Sequence, residues 1–286
     1  MTIGERQEGR SSQADLLALF AVLWALAAVW HLLGNTGTAP AWAQAVLVVG
    51  IGLTLIRPGA VLPLSVLAVG GLLTMWEEAP LLGNHWLLAG FVDLTILLAA
   101  IAGVVRRRAG DRTGLAERVF PAARLCLLGF YVFAGFAKLN LSFFDRSVSC
   151  AAFYLKESTA SIGLHGLLPG SASVEWAAIV GTALIELSIP VLLIRRRTRA
   201  AGVMLGLVFH ALLAIDRRHE FFDFSAVLFA LFVLFLPPTS GTWVAERVGS
   251  IRARLALRDD GLPDRVHLAL LAVPLAAAAL VVVDVA

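Results

Sequence analysis

Four charged or titratable side chains fall inside long apolar runs: Asp93, Lys138, Glu186 and His210. His85 and Asp223 stand at the ends of such runs, and His31 lies near the close of the first. A lysine whose ammonium is partly desolvated can work as a base. A histidine titrates near neutral pH, so it can donate a proton or hold an anionic oxygen. Beside a lipid-accessible cavity, the two suit acid–base chemistry on an amphiphile such as a quinol. Each residue type also has a structural use. A lysine at a helix end snorkels to the interface, and an aspartate in a first helical turn complements the helix dipole. His85 can serve as an interfacial cap, and Glu186 can bond between helices or offset a basic partner. The stretches Glu77-Glu78 and Asp216–Glu220 read as solvated turns.

The elements that must carry these groups are membrane helices. Of 286 residues, 59% are apolar and 15% charged, and the mean hydropathy is +0.85. Soluble domains carry about 25% charged and about 45–50% apolar residues, so a water-soluble enzyme, a disordered chain and a collagen are excluded. Apolar runs cover Asp15–Leu33, Trp42–Ile56, Gly59–Trp76, Trp86–Val105, Val119–Lys138, Val174–Ile194, Ala200–Ile215, Phe222–Leu236 and Val266–Val283. Several are near the short limit for spanning, so eight to nine spans are expected. Ala41-Trp42-Ala43 resembles a signal cleavage pattern, but the first run is longer than a signal core and no net positive charge precedes it. It reads as a membrane helix. Cys126 and Cys150 form no disulfide framework and no zinc spacing, and are expected unpaired.

The basic pI of 9.3 is a topology signal. With the N-terminus cytoplasmic and nine spans, 18 arginines fall in cytoplasmic segments and only Arg146, Arg217 and Arg218 outside. This is the expected positive-inside bias, and no nucleic-acid partner is implied. In that frame Asp93 lies about 12 Å inward of His85, and His210 lies about 8 Å below the outer end of its helix, at 1.5 Å per residue. One lysine, two histidines and two aspartates thus occupy the outer half of four helices, which reads as one polar cavity open to the outside. No P-loop, dinucleotide fingerprint, HExxH or GxSxG motif occurs. The His and Cys spacings offer no metal site, although two histidines could in principle hold a haem.

In these residues the segment 84–238 resembles the horizontally transferred transmembrane (HTTM) domain, the membrane part of vitamin K-dependent gamma-carboxylases. Asn84-His85-Trp86-Leu87-Leu88 is similar to that family's Asn-His-x-Leu helix opening. Tyr131–Asn140, reading YVFAGFAKLN, resembles its aromatic-x-x-Ala-Gly-x-x-Lys-Leu-Asp/Asn motif. Glu186–Arg199 resembles its acidic helix and basic turn. Phe209-His210, Phe221–Phe224 and Leu236-Pro237-Pro238 resemble its later histidine helix and closing span.

The resemblance implies that Lys138 is the base acting on reduced vitamin K. Oxygen then drives proton abstraction from a glutamate gamma carbon, carbon dioxide adds there, and the vitamin leaves as its epoxide. It implies that His85 handles the carbanion and that His210 lies near the quinol. Two differences stand out. Full-length carboxylases of the family carry a large lumenal domain after the membrane part, where this sequence has one further apolar run. A tryptophan often follows the lysine motif, where this chain reads Leu141-Ser142-Phe143-Phe144-Asp145. Both bear on carboxylation of a protein substrate more than on quinol chemistry.

The expectation is therefore an all-α polytopic transmembrane helix bundle forming a single membrane domain over 1–286. Its HTTM-like core covers 84–238, with N-terminal helices in 15–76 and an extra C-terminal helix in 266–283. The expected activity is carboxylase-like, in a bacterial cytoplasmic membrane, on an outward-facing site. Catalytic candidates are Lys138, His85 and His210, and cofactor-binding candidates are His210, Asp93, Glu186 and Asp223. The expected cofactor is reduced vitamin K or menaquinol, with lipid and a protein or peptide substrate as partners, and no metal. The alternative is a non-catalytic membrane module that binds or transports a quinone, lipid or small substrate. The sequence does not specify an oligomeric state.

Overall fold

The computed structural model describes residues 3–34, 39–80, 83–108, 110–163, 171–215 and 221–256, with side chains from residue 8 to residue 247. The predicted helix at 266–283 and the Asp216–Glu220 turn lie outside the described residues. Among those described, the chain is all helical. The helices are α1 (Ile3–Gly34), α2 (Ala41–Ile56), α3 (Val61–Glu78), α4 (Asn84–Val105), α5 (Arg112–Ala137), α6 (Leu141–Phe144), α7 (Cys150–Ser161), α8 (Ala172–Ile194), α9 (Arg199–Leu213), α10 (Phe221–Val233) and α11 (Thr239–Ala256).

Five helices are long and apolar enough to cross a bilayer: Glu8–Gly34 within α1, then α3, α4, α5 and α8. This marks a membrane protein. Helices α2, α9 and α10 are apolar but shorter, with 16, 15 and 13 residues. At 1.5 Å per residue they reach about 20–24 Å, against about 30 Å of hydrocarbon. The apolar runs predicted from the sequence within residues 15–236 are thus helical, but five of them have full spanning length. Two helices of more than one turn, α7 and α11, had not been predicted.

Helix boundaries follow local chemistry. Helix α5 starts seven residues before its apolar run because the Asp111 carboxylate accepts from the Gly114 N–H at 2.9 Å, a side-chain N-cap. Arg107, in the tight turn after α4, has φ 57°. There Arg107 N–H donates to the Val104 carbonyl at 2.9 Å and Arg108 N–H to the Gly103 carbonyl at 2.8 Å. This is the paired-bond helix ending that normally places glycine at the left-handed position.

The helices form two compact units, Met1–Ala123 with Pro237–Ala286, and Arg124–Leu236. In the first, α2 and α3 form a hairpin that small residues bring into backbone contact. A Cβ on Gly50 would fall 2.5 Å from the Leu67 Cα, and one on Gly70 would fall 2.5 Å from the Leu47 Cα. Helix α11 seats Gly241 on the backbone of Asp15 and Leu16 in α1. In the second unit α8 packs against α7 and α9, and α9 against α10. Phe143, Ala151, Ala152, Ile179 and Ala183 close the α6–α7–α8 corner.

Candidate functional site

The second unit gathers four polar side chains on one stripe of α5 and the helices against it. Tyr131, Gly135 and Lys138 stand at i, i+4 and i+7, which places them on one side of the α5 stretch. At Gly135 the absence of a side chain admits α8: a Cβ there would fall 2.6 Å from Leu187 Cδ2. Glu186, the neighbour of Leu187, thereby meets the lysine. Lys138 Nζ lies 2.6 Å from Glu186 Oε2, with side-chain exposures of 22% and 10%. The ammonium also sits 5.9 Å from the Phe143 ring centroid. Lys138 therefore does not extend alone to the interface; it is half of an ion pair that keeps some access to its surroundings.

Two turns earlier on the same stripe, the Tyr131 hydroxyl lies 2.6 Å from His210 Nε2 on α9. Both residues are 1% exposed. Helix α9 brings His210 in through Gly202 and Gly206, spaced four residues apart; the Phe232 ring of α10 occupies the space over Gly206. Phe209, Phe224 and Phe232 surround the imidazole with ring centroids at 5.1, 5.0 and 6.3 Å. The Ser225 hydroxyl donates to the His210 carbonyl at 2.9 Å, and Asp223, two residues before it, is buried in the first turn of α10.

Nδ1 of His210 is buried and has no hydrogen-bond partner among the described residues. Whichever tautomer the Tyr131 bond selects, one ring nitrogen is left to offer or receive a hydrogen. An unmet buried polar atom costs about 1–3 kcal/mol. The Tyr131–His210 pair and the Lys138–Glu186 pair stand two turns apart along the same stripe of α5.

A second ionic group fixes the edge of this unit. Glu175, in the first turn of α8, receives Arg146 at 2.6 Å and Lys156 of α7 at 2.7 Å. In the loop between α6 and α7, the Ser147 hydroxyl and N–H donate to Asp145 at 2.7 and 2.9 Å. These bonds hold the Asp145 carboxyl below the usual aspartate range.

His85 and Asp93 belong to the first unit, so the six predicted residues divide between the two units. His85 is half-buried at the start of α4, its ring folded over Gly83. Asp93 is 3% exposed and accepts from the Trp24 indole at 2.8 Å; its carboxyl lies against Gly71, where a side chain would collide with it. His31 lies 2.9 Å from Glu78 and stacks on Trp86, with centroids 3.5 Å apart and planes 11° from parallel. Glu78 is thus not the solvated turn residue that its place beside Glu77 led us to expect: its side chain is 11% exposed, and only Glu77 faces outward. The first unit also holds an open cleft of about 1050 Å³ lined by Glu8, Gln13, Glu117, Thr242, Trp243 and Glu246, among others. None of the predicted residues lines it.

The sequence did not single out Trp24 or the Arg146–Glu175–Lys156 triad, and it offered Tyr131 only as the aromatic opening of the YVFAGFAKLN motif, seven residues before Lys138, with no role of its own. No family model, no curated protein and no solved structure matches this chain.

Proposed function

We propose that the chain is an integral membrane enzyme that carries out quinol-driven proton abstraction, in the manner of the vitamin K-dependent gamma-carboxylases whose HTTM domain it resembles. The observation behind this reading is that one stripe of α5 carries Tyr131, paired with His210, and two turns later Lys138, paired with Glu186, so that an amine, a carboxyl, a phenol and an imidazole are held by one helix. A reduced naphthoquinone, when bound, supplies a phenolic proton and a ring that oxygen can attack. The donor set fits such a head group. Lys138 and Glu186 are the partly accessible pair that would hold its hydroxyl, and His210 Nδ1 is the unmet polar atom of the set.

The proton logic follows from the 2.6 Å separation. A proton passing from Lys138 Nζ to Glu186 Oε2 leaves a neutral amine, the form of lysine that can act as a base. The same pair reversed presents an ammonium, which stabilises an oxygen anion that has just lost its proton. Tyr131 holds the His210 ring in place through Nε2, and His85 is assigned to carbanion handling only through the family resemblance. The proposed topology has eight or nine spans in a bacterial cytoplasmic membrane, arginine-rich ends inside and the site outside; the arginine distribution supports it.

One observation favours a binding or transport module instead: the Lys138 ammonium is already neutralised by Glu186. Product analysis separates the two. Purified protein in nanodiscs is given reduced vitamin K, oxygen, bicarbonate and a glutamyl peptide. Epoxide formation that is lost in Lys138→Ala supports the enzyme; saturable quinol binding with no epoxide supports the module.

A further inference from the structure

The first unit carries a group of arginines that no ion pair accounts for. Arg57 ends α2, Arg106, Arg107 and Arg108 follow α4, and Arg112 and Arg118 lie in the first turns of α5. Among the described residues none of the six is in an ion pair. Of the two carboxylates within this stretch, Asp111 caps α5 and Glu117 lines the open cleft; neither is in an ion pair with these arginines. The two turns are joined: Arg112 Nη2 donates to the Pro58 carbonyl at 3.0 Å. Arg118 reaches back toward Gly103, its Nη2 3.3 Å from where a Cβ would stand there, and its Nε is buried with no hydrogen-bond partner.

Two features separate this cluster from the Arg195–Arg197 turn, which also follows an exposed apolar residue, Ile194: Arg107 holds φ 57° where a glycine would be cheaper, and Arg112 joins two arginine-bearing turns into one. The setting of the cluster suits a lipid. The arginines continue straight into outward-facing apolar side chains: Ile56 beside Arg57, and Val104 and Val105 beside Arg106, with exposures of 63%, 62% and 77%. Unpaired guanidinium groups at a helix end, directly above an apolar outer face, complement a phosphodiester joined to acyl chains. Arginine forks match phosphate oxygens two at a time, and the apolar face receives the chains. A free anion would not use the apolar half, and an acidic peptide would not match it.

We propose that the α2–α3 and α4–α5 turns form a binding site for an anionic phospholipid, with the head-group phosphate held by these arginines. The reading is independent of the quinol chemistry.

The test is native mass spectrometry of the full chain, released from mixed phosphatidylglycerol and phosphatidylcholine nanodiscs, with lipid-dependent thermal stability as a second readout. Retention of phosphatidylglycerol over phosphatidylcholine is expected. Each arginine near a lipid surface contributes about fivefold, so Arg106→Gln, Arg107→Gln and Arg108→Gln together weaken retention about 100-fold. Arg107→Gly guards against misfolding: it relieves the left-handed strain, so it raises the melting temperature in neutral detergent while weakening phosphatidylglycerol retention about fivefold. Equal retention of both lipids, or equal protection by inorganic phosphate, overturns the proposal. So does an equal loss from replacing Arg195, Arg196 and Arg197 in the other unit, which would show a net-charge effect without a site.

Discussion

Cutting the Lys138–Glu186 pair from one side should cost far more than removing it whole. At 2.6 Å the gross attraction is about 6 kcal/mol with an effective dielectric constant of about 20. Desolvation offsets much of this. With exposures of 22% and 10%, we place the net coupling at about 2–3 kcal/mol. Lys138→Met alone leaves Glu186 as a carboxylate among apolar side chains, a loss of about 3 kcal/mol, the low end for a broken buried pair. Glu186→Gln alone strands the ammonium and costs less, about 1–2 kcal/mol, because Lys138 is the more exposed partner. The double variant should recover most of the loss, since a neutral pair of similar volume is often tolerated. The assay is reversible unfolding in mixed micelles for the four proteins of the cycle. A double variant whose loss equals the sum of the single losses refutes the coupling. Single variants within about 0.5 kcal/mol of the parent would show that the pair is solvated and that its assignment to the site core is wrong.

Other interactions make their own predictions. Tyr131→Phe leaves both His210 ring nitrogens unmet and should cost about 1–2 kcal/mol, with quinol affinity falling alongside stability; ligand titration of the variant checks this. Trp24→Phe removes the indole donor to Asp93 and should lower stability by about 1.5–3 kcal/mol, measured by the same unfolding assay, with no effect on quinol turnover beyond the fraction unfolded. Gly70→Ala pushes a methyl group into the Leu47 backbone, which cannot yield as a side-chain end would, so a loss of about 1–3 kcal/mol is expected. Gly9→Ala, with open space around it, serves as the control and should be neutral or slightly stabilising.

The sequence made the helices legible but not their neighbours. Runs such as Trp86–Val105 are readable because a bilayer demands length and apolarity together. Helices α7 and α11 escaped because they are polar or amphipathic; α7 is held by Lys156 reaching Glu175, a contact that hydropathy does not register. The places of Lys138 just after α5 and of His210 in the last turn of α9 were readable from the extent of the apolar runs. That Glu186 answers Lys138, and Tyr131 answers His210, depends on which helices touch. That contact is set by small residues such as Gly135 and Gly206, whose partners lie about 50 and 25 residues away. Glu78 shows the same gap: beside Glu77 it reads as solvated, yet α1 brings His31 to it. The division of His85 and Asp93 from the other four candidates is likewise a property of packing, invisible to any local pattern.

The most direct measurement of the central claim is epoxide formation from reduced vitamin K by the purified, membrane-reconstituted protein, compared with Lys138→Ala. The account predicts oxygen-dependent epoxide from the parent and a fall of at least about 100-fold in the variant while it remains folded. Equal turnover by the two proteins would contradict it.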